Sequence, residues 1–231
     1  NEALKEAWAN FKEIHGGIFG SSLKKEFDKF KKENSFWLDN DSLYEALSIE
    51  NDNDFWYTWK NETDKKLMNP KSEEEKKAYT LVLMGHLRLA ATVFKYGVTG
   101  GGLDIIAREP LWEYGMDFRH GTGHGVGYLL NVHEGPQRIS WKNNDVVLDE
   151  GMVISDEPGY YETGKFGIRH ENLLLVKADL PETEYGKMCY FKNLTYVPFD
   201  KEALLPELMT SRDIKLFNRY QKNVYERISP Y

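Results

Sequence analysis

The chain has 231 residues, 41% of them hydrophobic and 14% aromatic, enough apolar surface to bury a core in one large or two small domains. Asp and Glu outnumber Lys and Arg by 37 to 30, a net charge of -7 that sets nucleic acid aside as a partner, since phosphate binding rests on clustered cations. The single cysteine, Cys189, excludes an internal disulfide and a Cys-based zinc site and fits a reducing, cytoplasmic setting, while the lack of any run of about 18 apolar residues or a leader pattern speaks against a membrane.

In chain order, Leu4, Trp8, Phe11 and Ile14 fall on one helical stripe that Gly16-Gly17 should end. A Lys-rich segment with Leu23, Phe27 and Phe30 at helical spacing follows. Phe36-Trp37-Leu38 then reads as a short strand, and Ser42 with Glu45 as the capping box of another helix. The charge runs here read as solvated helix faces. Residues 51–70, NDNDFWYTWKNETDKKLMNP, have no clean period and make the best boundary. Ser72 and Glu75 form a second capping box, opening a long helix with Tyr79, Val82, Leu83, His86, Ala90 and Val93 on its apolar stripe. A lone histidine in such a stripe is read as a satisfied core residue. After a GVTGGG turn, Leu103 to Tyr114 predict a helix that Pro110 should kink or break.

Residues 120–136 read HGTGHGVGYLLNVHEGP. Glycines at 121, 123, 125 and 127 would each cost a helix about 1 kcal/mol, so the segment is expected to be extended. Read with a period of two, His120, Thr122, His124, Val126 and Tyr128 share one strand face and the glycines leave the other open to a close backbone. Downstream, VVLDEGMVISDEPGYYETGKFGIRHENLLLVKA reads as apolar strands broken by turns and ending in Leu173 to Val176. NLTYVPF predicts one more strand, and the remainder to Tyr231 a helical tail.

Glu157 and Glu171 stand out as carboxylates on otherwise apolar strands, where an uncompensated charge costs several kcal/mol. With His124 they offer one nitrogen and two carboxylate oxygens, a set that suits a divalent ion of the manganese, zinc, iron or cobalt kind. The alternative from the same residues is a structural network in which Arg169 and nearby amides satisfy both glutamates. Spacing alone leaves the two readings open.

The motifs HGTGHGVG, NVHEGP, SDEPGYY and FGIRHEN, in this order, resemble aminopeptidase P, the Xaa-Pro aminopeptidases of the pita-bread metallopeptidase family. The resemblance runs through YTLVLMGHLRLAATVF and LWEYGMDFRH upstream and NLTYVPF downstream, and so covers roughly residues 73–231. SFWLDNDSLYEAL is more weakly similar to the end of the domain that precedes the catalytic one, and the C-terminal part to the tail of the cytosolic type.

The resemblance implies an α+β chain with a partial pita-bread fold, a curved, mostly antiparallel sheet covered by helices. It implies a remnant of the preceding domain at 1–54, an irregular junction at 55–72, the C-terminal half of the catalytic domain at 73–180 and the tail at 181–231. It also implies metal-dependent removal of an N-terminal residue preceding proline, with proline-containing peptides as substrates and a pair of divalent ions, usually Mn2+, activating water. By motif, His124 and Glu157 would ligate one metal and Glu171 would bridge two, Glu157 doubling as proton carrier. His120 and His133 would hydrogen-bond substrate and stabilise the tetrahedral intermediate, and Arg169 would orient the carboxylates. His170 stands where the family is usually apolar and is read as a packing variation.

The family's DSG-like and DGTTD-like strands, which carry two aspartate ligands, and the histidine before the second are absent from this sequence. Asp28 with Asp39 and Asp41 with Asp52 share an 11-residue spacing but lack the glycine and strand context. The expectation is therefore at most one ion per chain, impaired turnover and exposed sheet edges, while the resemblance to the cytosolic-type tail implies a homodimer. The alternative is an inactive relative that serves as a binding or dimerisation module.

Overall fold

The computed structural model describes residues 22–52 and 72–230 apart from 130, 143 and 144, together with 6, 9, 10, 13, 59 and 60. Two compact units result, Asn1–Met68 and Asn69–Tyr231. The stripe expected over residues 4–14 and most of the junction lie outside the described residues, although Glu6, Ala9, Asn10 and Glu13 are helical.

In the first unit one helix, α1 (Ser22–Glu50), runs unbroken. The strand expected at Phe36 to Leu38 and the helix start at Ser42 both fall inside it, which corrects the sequence reading. The segment contains no Gly or Pro, so helix propagation, one hydrogen bond gained per residue fixed, carries through Phe36 and Trp37 despite their β propensity, and Leu38 is itself a good helix former. Tyr44 stacks on Trp59, ring centroids 6.2 Å apart.

The second unit starts at the expected capping box. The Glu75 amide donates to Ser72 Oγ at 3.1 Å and the Ser72 amide to the Glu75 carboxylate at 3.0 Å, opening α2 (Glu73–Ala90). Val93 is not on its stripe, because the helix stops at Ala90 and Val93 begins strand β1 (Val93–Lys95). Helix α3 (Gly100–Trp112) starts three residues earlier than expected and is not broken at Pro110. Pro110 lies in its last turn and forgoes one amide bond there, yet the ladder resumes past it, where the Glu113 amide reaches Glu109 O. Gly85 permits the α2/α3 crossing: a Cβ there would lie 2.1 Å from Ala107 O.

Strands β2 (Gly123–His124), β3 (Arg138–Ile139), β4 (Val153–Asp156), β5 (Gly159–Glu162), β6 (Phe166–Arg169), β7 (Asn172–Lys177) and β8 (Met188–Asn193) follow. They form an antiparallel sheet in the order β1-β8-β7-β4 and two hairpins, β2-β3 and β5-β6. The strand expected at NLTYVPF is instead β8, which ends where that motif begins. Leu194 still donates to Leu173 O, but Pro198 has no amide to continue a ladder. The tail is helical only in part: two 3-10 turns precede α4 (Ser211–Ile228), which a Thr210/Asp213 capping box opens.

Leu148, Ile154, Leu174, Val176 and Cys189 pack under α3 and the end of α2 as the main core. Leu83 and Leu87 of α2 meet Tyr220 and Val224 of α4 in a second cluster. Arg88 clamps the same helix pair, with Nε and Nη2 at 2.7 and 2.8 Å from the buried Asp213 carboxylate.

Candidate functional site

The histidine segment is shorter as a strand than its alternation predicts. Only Gly123 and His124 pair with β3, and a single bridge joins Gly125 to Ile154 of β4. Thr122 is fully buried whereas Tyr128 is 80% exposed, so the five alternate residues do not share one environment. The glycines do what was expected of them. A Cβ on Gly123 would lie 1.9 Å from Ser155 O, and one on Gly125 2.0 Å from Glu134 O. The backbones of β2 and β4 therefore approach at a distance only glycine permits.

That approach sets His124 against Glu157, the residue after β4. His124 Nε2 lies 3.0 Å from Glu157 Oε1, and Ser155 Oγ donates to the same oxygen at 3.1 Å. Arg169 Nη1 stands 3.3 Å from the other oxygen, Oε2. The His133 ring packs on His124 with centroids 4.3 Å apart. Register explains the place of Glu171: Asp156 pairs with Asn172, so one step further the antiparallel ladder sets Glu157 opposite Glu171. Glu171 is exposed, and its charge acts on Arg169. Burial works against the guanidinium, yet the Tyr161 hydroxyl, Glu157 and Glu171 hold its pKa above the ordinary value.

His120 joins through a residue the sequence reading passed over. Its Nδ1 lies 2.7 Å from Gly121 O, which fixes Nδ1 as the donor and leaves Nε2 as the acceptor of the Tyr161 hydroxyl at 3.0 Å. Arg169 Nε donates to that same hydroxyl at 2.9 Å. The β5-β6 hairpin makes this possible, since Gly159 pairs with Arg169 and Tyr161 with Gly167. Two glycines opposite two large side chains leave room for the ring; a Cβ on Gly159 would come 2.6 Å from the Tyr161 hydroxyl. The four glycine, tyrosine and arginine positions were legible in SDEPGYY and FGIRHEN, but their facing depends on the turn between them.

A second set missed in the sequence is buried beneath the segment. Arg108 and Asp104, four apart on α3 and fully buried, pair at 2.6 Å. Arg108 also donates to Phe118 O and His120 O, both at 2.7 Å, and Thr122 Oγ1 donates to Asp104 at 2.7 Å. Glu157 N in turn donates to Thr122 O at 2.8 Å. One ion pair thus fixes both ends of His120–Thr122 and, through Thr122, the amide of Glu157. The signal was there as Asp and Arg at helical i, i+4 spacing on an otherwise apolar stretch.

On the opposite face of β4, Asp156 and His86 are fully buried. His86 Nδ1 lies 3.2 Å from Asp156 Oδ2, close enough for an ion pair but not aligned as a hydrogen bond, so both Asp156 oxygens lack a donor among the described residues. Burial pushes the Asp156 carboxyl up, and His86 pulls against it. His86 sits in the core as expected but is only half satisfied: Asn172 Nδ2 meets its Nε2 at 2.9 Å, while Nδ1 has no hydrogen-bond partner among the described residues. His170 is also buried, edge-on to Tyr79, and burial pushes its pKa down to about 3, which keeps it a neutral packing residue.

The fit to a metal ion can be judged from the donors. His124 Nδ1 lies 2.9 Å from Gly125 O, which makes it the donor and turns the Nε2 lone pair toward Glu157 Oε1. Two acceptors facing each other at 3.0 Å call for a proton or a cation between them. The separation is also that of neighbouring ligands about 2.1 Å from one ion. This pair fits; a third ligand is not assembled with it. Among the described residues no group of three or more His, Cys, Asp or Glu is arranged to hold a metal. The pair opens on a cleft of about 600 Å³ that His120, His133, Gln137 and Arg169 also line. No helix among the described residues is long and apolar enough to cross a membrane.

Residues 56–178 match the model of metallopeptidase family M24, and residues 187–231 match that of the C-terminal region of peptidase M24. A probable Xaa-Pro aminopeptidase P of Pyrenophora teres f. teres is 48% identical over 164 residues, 69% of this chain and 25% of that protein. Aminopeptidase P1 of Lotus japonicus is 44% identical over 162 residues, again 69% of this chain and 25% of that protein. The crystal structure of an X-prolyl aminopeptidase from Caenorhabditis elegans, described as a cytosolic enzyme with a di-nuclear active site, superimposes with a TM-score of 0.65 at 37% identity over 71% of this chain and 26% of that one. The chain spans about a quarter of the length of these relatives. With its antiparallel sheet under helices, no closed barrel among the described residues, and a family match across the histidine and glutamate motifs, the chain belongs to metallopeptidase family M24 as part of an α+β pita-bread fold whose relatives are Xaa-Pro aminopeptidases.

Proposed function

We propose that the chain carries the C-terminal half of the catalytic apparatus of a metal-dependent Xaa-Pro aminopeptidase, the enzyme that removes an N-terminal residue preceding proline. The observation that carries this reading is the meeting of His124 Nε2 and Glu157 Oε1 at 3.0 Å, acceptor to acceptor, in a cleft shared with His120 and His133. A divalent ion, Mn2+ in the expectation from sequence, would be held by His124 and Glu157 with Glu171 across the ladder, and would supply an activated water and a polarised carbonyl. The chain's own groups do the rest. His120, its Nε2 fixed as acceptor by Gly121 O and its partner hydroxyl fed by Arg169, offers a defined proton position at the cleft. Arg169 orients the Glu157 carboxylate, and exposed His133 faces peptide substrate.

By itself this stretch of chain binds at most one ion and turns over Xaa-Pro peptides poorly, because two assembled ligands fall short of the usual three plus water. That shortfall, with Arg169 already satisfying Glu157, is what favours the second reading, an inactive relative serving as a binding or dimerisation module. A cytoplasmic setting and a homodimer belong to the proposal and take support from the cytosolic-type tail.

Metal content of the purified chain, measured beside release of arginine from Arg-Pro-Pro, decides between them. The aminopeptidase reading expects about one Mn2+ per chain, lost in His124→Ala, with weak turnover. Two ions per chain with robust turnover would overturn the impaired state, and no ion bound at any pH would leave the module.

A further inference from the structure

A second cleft of about 630 Å³, well within the size of ligand sites, lies between the end of α2, strands β1 and β8, and α4. It shares no residue with the histidine cleft. Arg219, Asn223 and Arg227 of α4 line it at i, i+4 and i+8, a single stripe along the helix, and Lys192 of β8 adds a third cation. Neither Lys192 nor Arg219 has a carboxylate partner among the described residues, and Arg227 lies over the Tyr196 ring at 5.5 Å. Among the described residues one carboxylate lines it, Glu226, and Lys222 engages that group at 3.6 Å. A cationic groove on a chain of net charge -7 is a local reversal of sign.

One further feature says what the ligand contains besides negative charge. Strand β1 is the edge of the sheet, and Val93, its residue in the groove wall, is 57% exposed, so an extended segment has room to run beside that edge. A polypeptide supplies donors, acceptors and charge together. Its alternate side chains repeat every 6.6 Å or so in extended form, near the roughly 6 Å step between Arg219, Asn223 and Arg227 along the helix.

We infer that this groove binds an extended acidic peptide segment of a partner protein, with carboxylates at alternate positions meeting the Arg219–Arg227 stripe. The inference does not depend on the aminopeptidase reading.

Fluorescence anisotropy with labelled Glu-Val-Glu-Val-Glu, Gln-Val-Gln-Val-Gln and Lys-Val-Lys-Val-Lys peptides and the full 231-residue chain provides the test. The acidic peptide is expected to bind at least tenfold tighter than the glutamine peptide and to weaken as salt rises. Arg219→Glu/Arg227→Glu should abolish that preference and reverse it toward the lysine peptide, while Arg219→Gln/Arg227→Gln should only erase it. All four substitutions are on exposed positions, and circular dichroism checks the fold. Equal binding of all three peptides, acidic binding that survives the charge reversal, or loss of binding in Arg119→Glu of the histidine cleft would each overturn the assignment. So would concentration-dependent self-association that Arg219→Glu abolishes in the absence of acidic-peptide binding, which would make the groove a contact between copies of this chain.

Discussion

Replacing Arg108 by Met tests whether the buried ion pair is what holds the histidine segment. Arg108 and Asp104 are both fully buried, and Arg108 makes contacts of 2.6 and 2.7 Å to Asp104, Asp117, Phe118 O and His120 O. Methionine keeps much of the apolar stem but leaves Asp104 with only the Thr122 hydroxyl, and breaking a buried pair by removing one partner costs about 3–5 kcal/mol. Two carbonyls lose their donors as well, so the upper half of that range is expected, against a total stability of about 5–15 kcal/mol for a domain. For a domain of this size the fall in Tm is roughly 10 °C. Asp104→Leu/Arg108→Met removes both charges and is expected to cost about 2 kcal/mol less than the sum of the single variants, a coupling that a double-mutant cycle reads directly. Urea unfolding followed by tryptophan fluorescence supplies the numbers. A single-variant cost under about 1 kcal/mol, or simple additivity, would refute the assignment of this pair as the anchor.

The remaining predictions follow from single contacts. Gly123→Ala places a Cβ 1.9 Å from Ser155 O, so β2 and β4 must part; a loss of about 1–3 kcal/mol or more and faster amide exchange at His124 are expected, and an unchanged exchange rate would contradict the close approach. Tyr161→Phe removes a hydroxyl at a half-exposed position, and should change stability by less than about 1 kcal/mol while shifting the NMR signals of His120, which a side chain outside the network would leave in place. Asp213 gives the pH dependence. Burial alone would raise its pKa, but hydrogen bonds from Arg88 and Thr210 outweigh burial and hold it below the ordinary carboxylate value. Because the folded value is the lower one, its stabilisation is complete above the unfolded value of about 3.9 and vanishes as pH falls through the folded value. Asp213→Asn should therefore be less stable than the parent at pH 7 and converge with it in the acid limb, and a constant difference down to pH 2 would count against the Arg88 pair.

What could be read from the sequence was what is decided locally. The Ser72/Glu75 capping box needs only four residues and forms as expected, and the glycines at 123 and 125 announced a close backbone before the partner was known. Phe36 to Leu38 misled because a strand is chosen by its neighbours and a helix by its continuation; with no breaker between Ser22 and Glu50 the helix ran on. The strand placed at NLTYVPF is offset for a related reason, since the ladder with β7 sets where β8 ends and periodicity does not. Tyr161 and Arg108 went unnoticed as site residues because their roles appear only after folding. One faces His120 across a hairpin, and the other reaches twelve residues onward to a carbonyl, which no side-chain pattern encodes.

The pairing of β4 with β7 also guards against its own misassembly. In the observed ladder Asp156 and Asn172 face the His86 side, and Glu157 with Glu171 continue on the cleft side. Sliding one strand by a single residue would turn every side chain to the other face, pressing a glutamate against fully buried His86 and swinging Asp156 out toward His124. The carboxylate without a hydrogen-bond donor at Asp156 is tolerated only because His86 stands beside it; a longer glutamate in that space has no such fit. A neighbouring pair of acids, each matched to a different histidine on opposite faces, makes the correct alignment the one in which both charges have a cationic or imidazole partner, and leaves the shifted sheet with a charge stranded in the core.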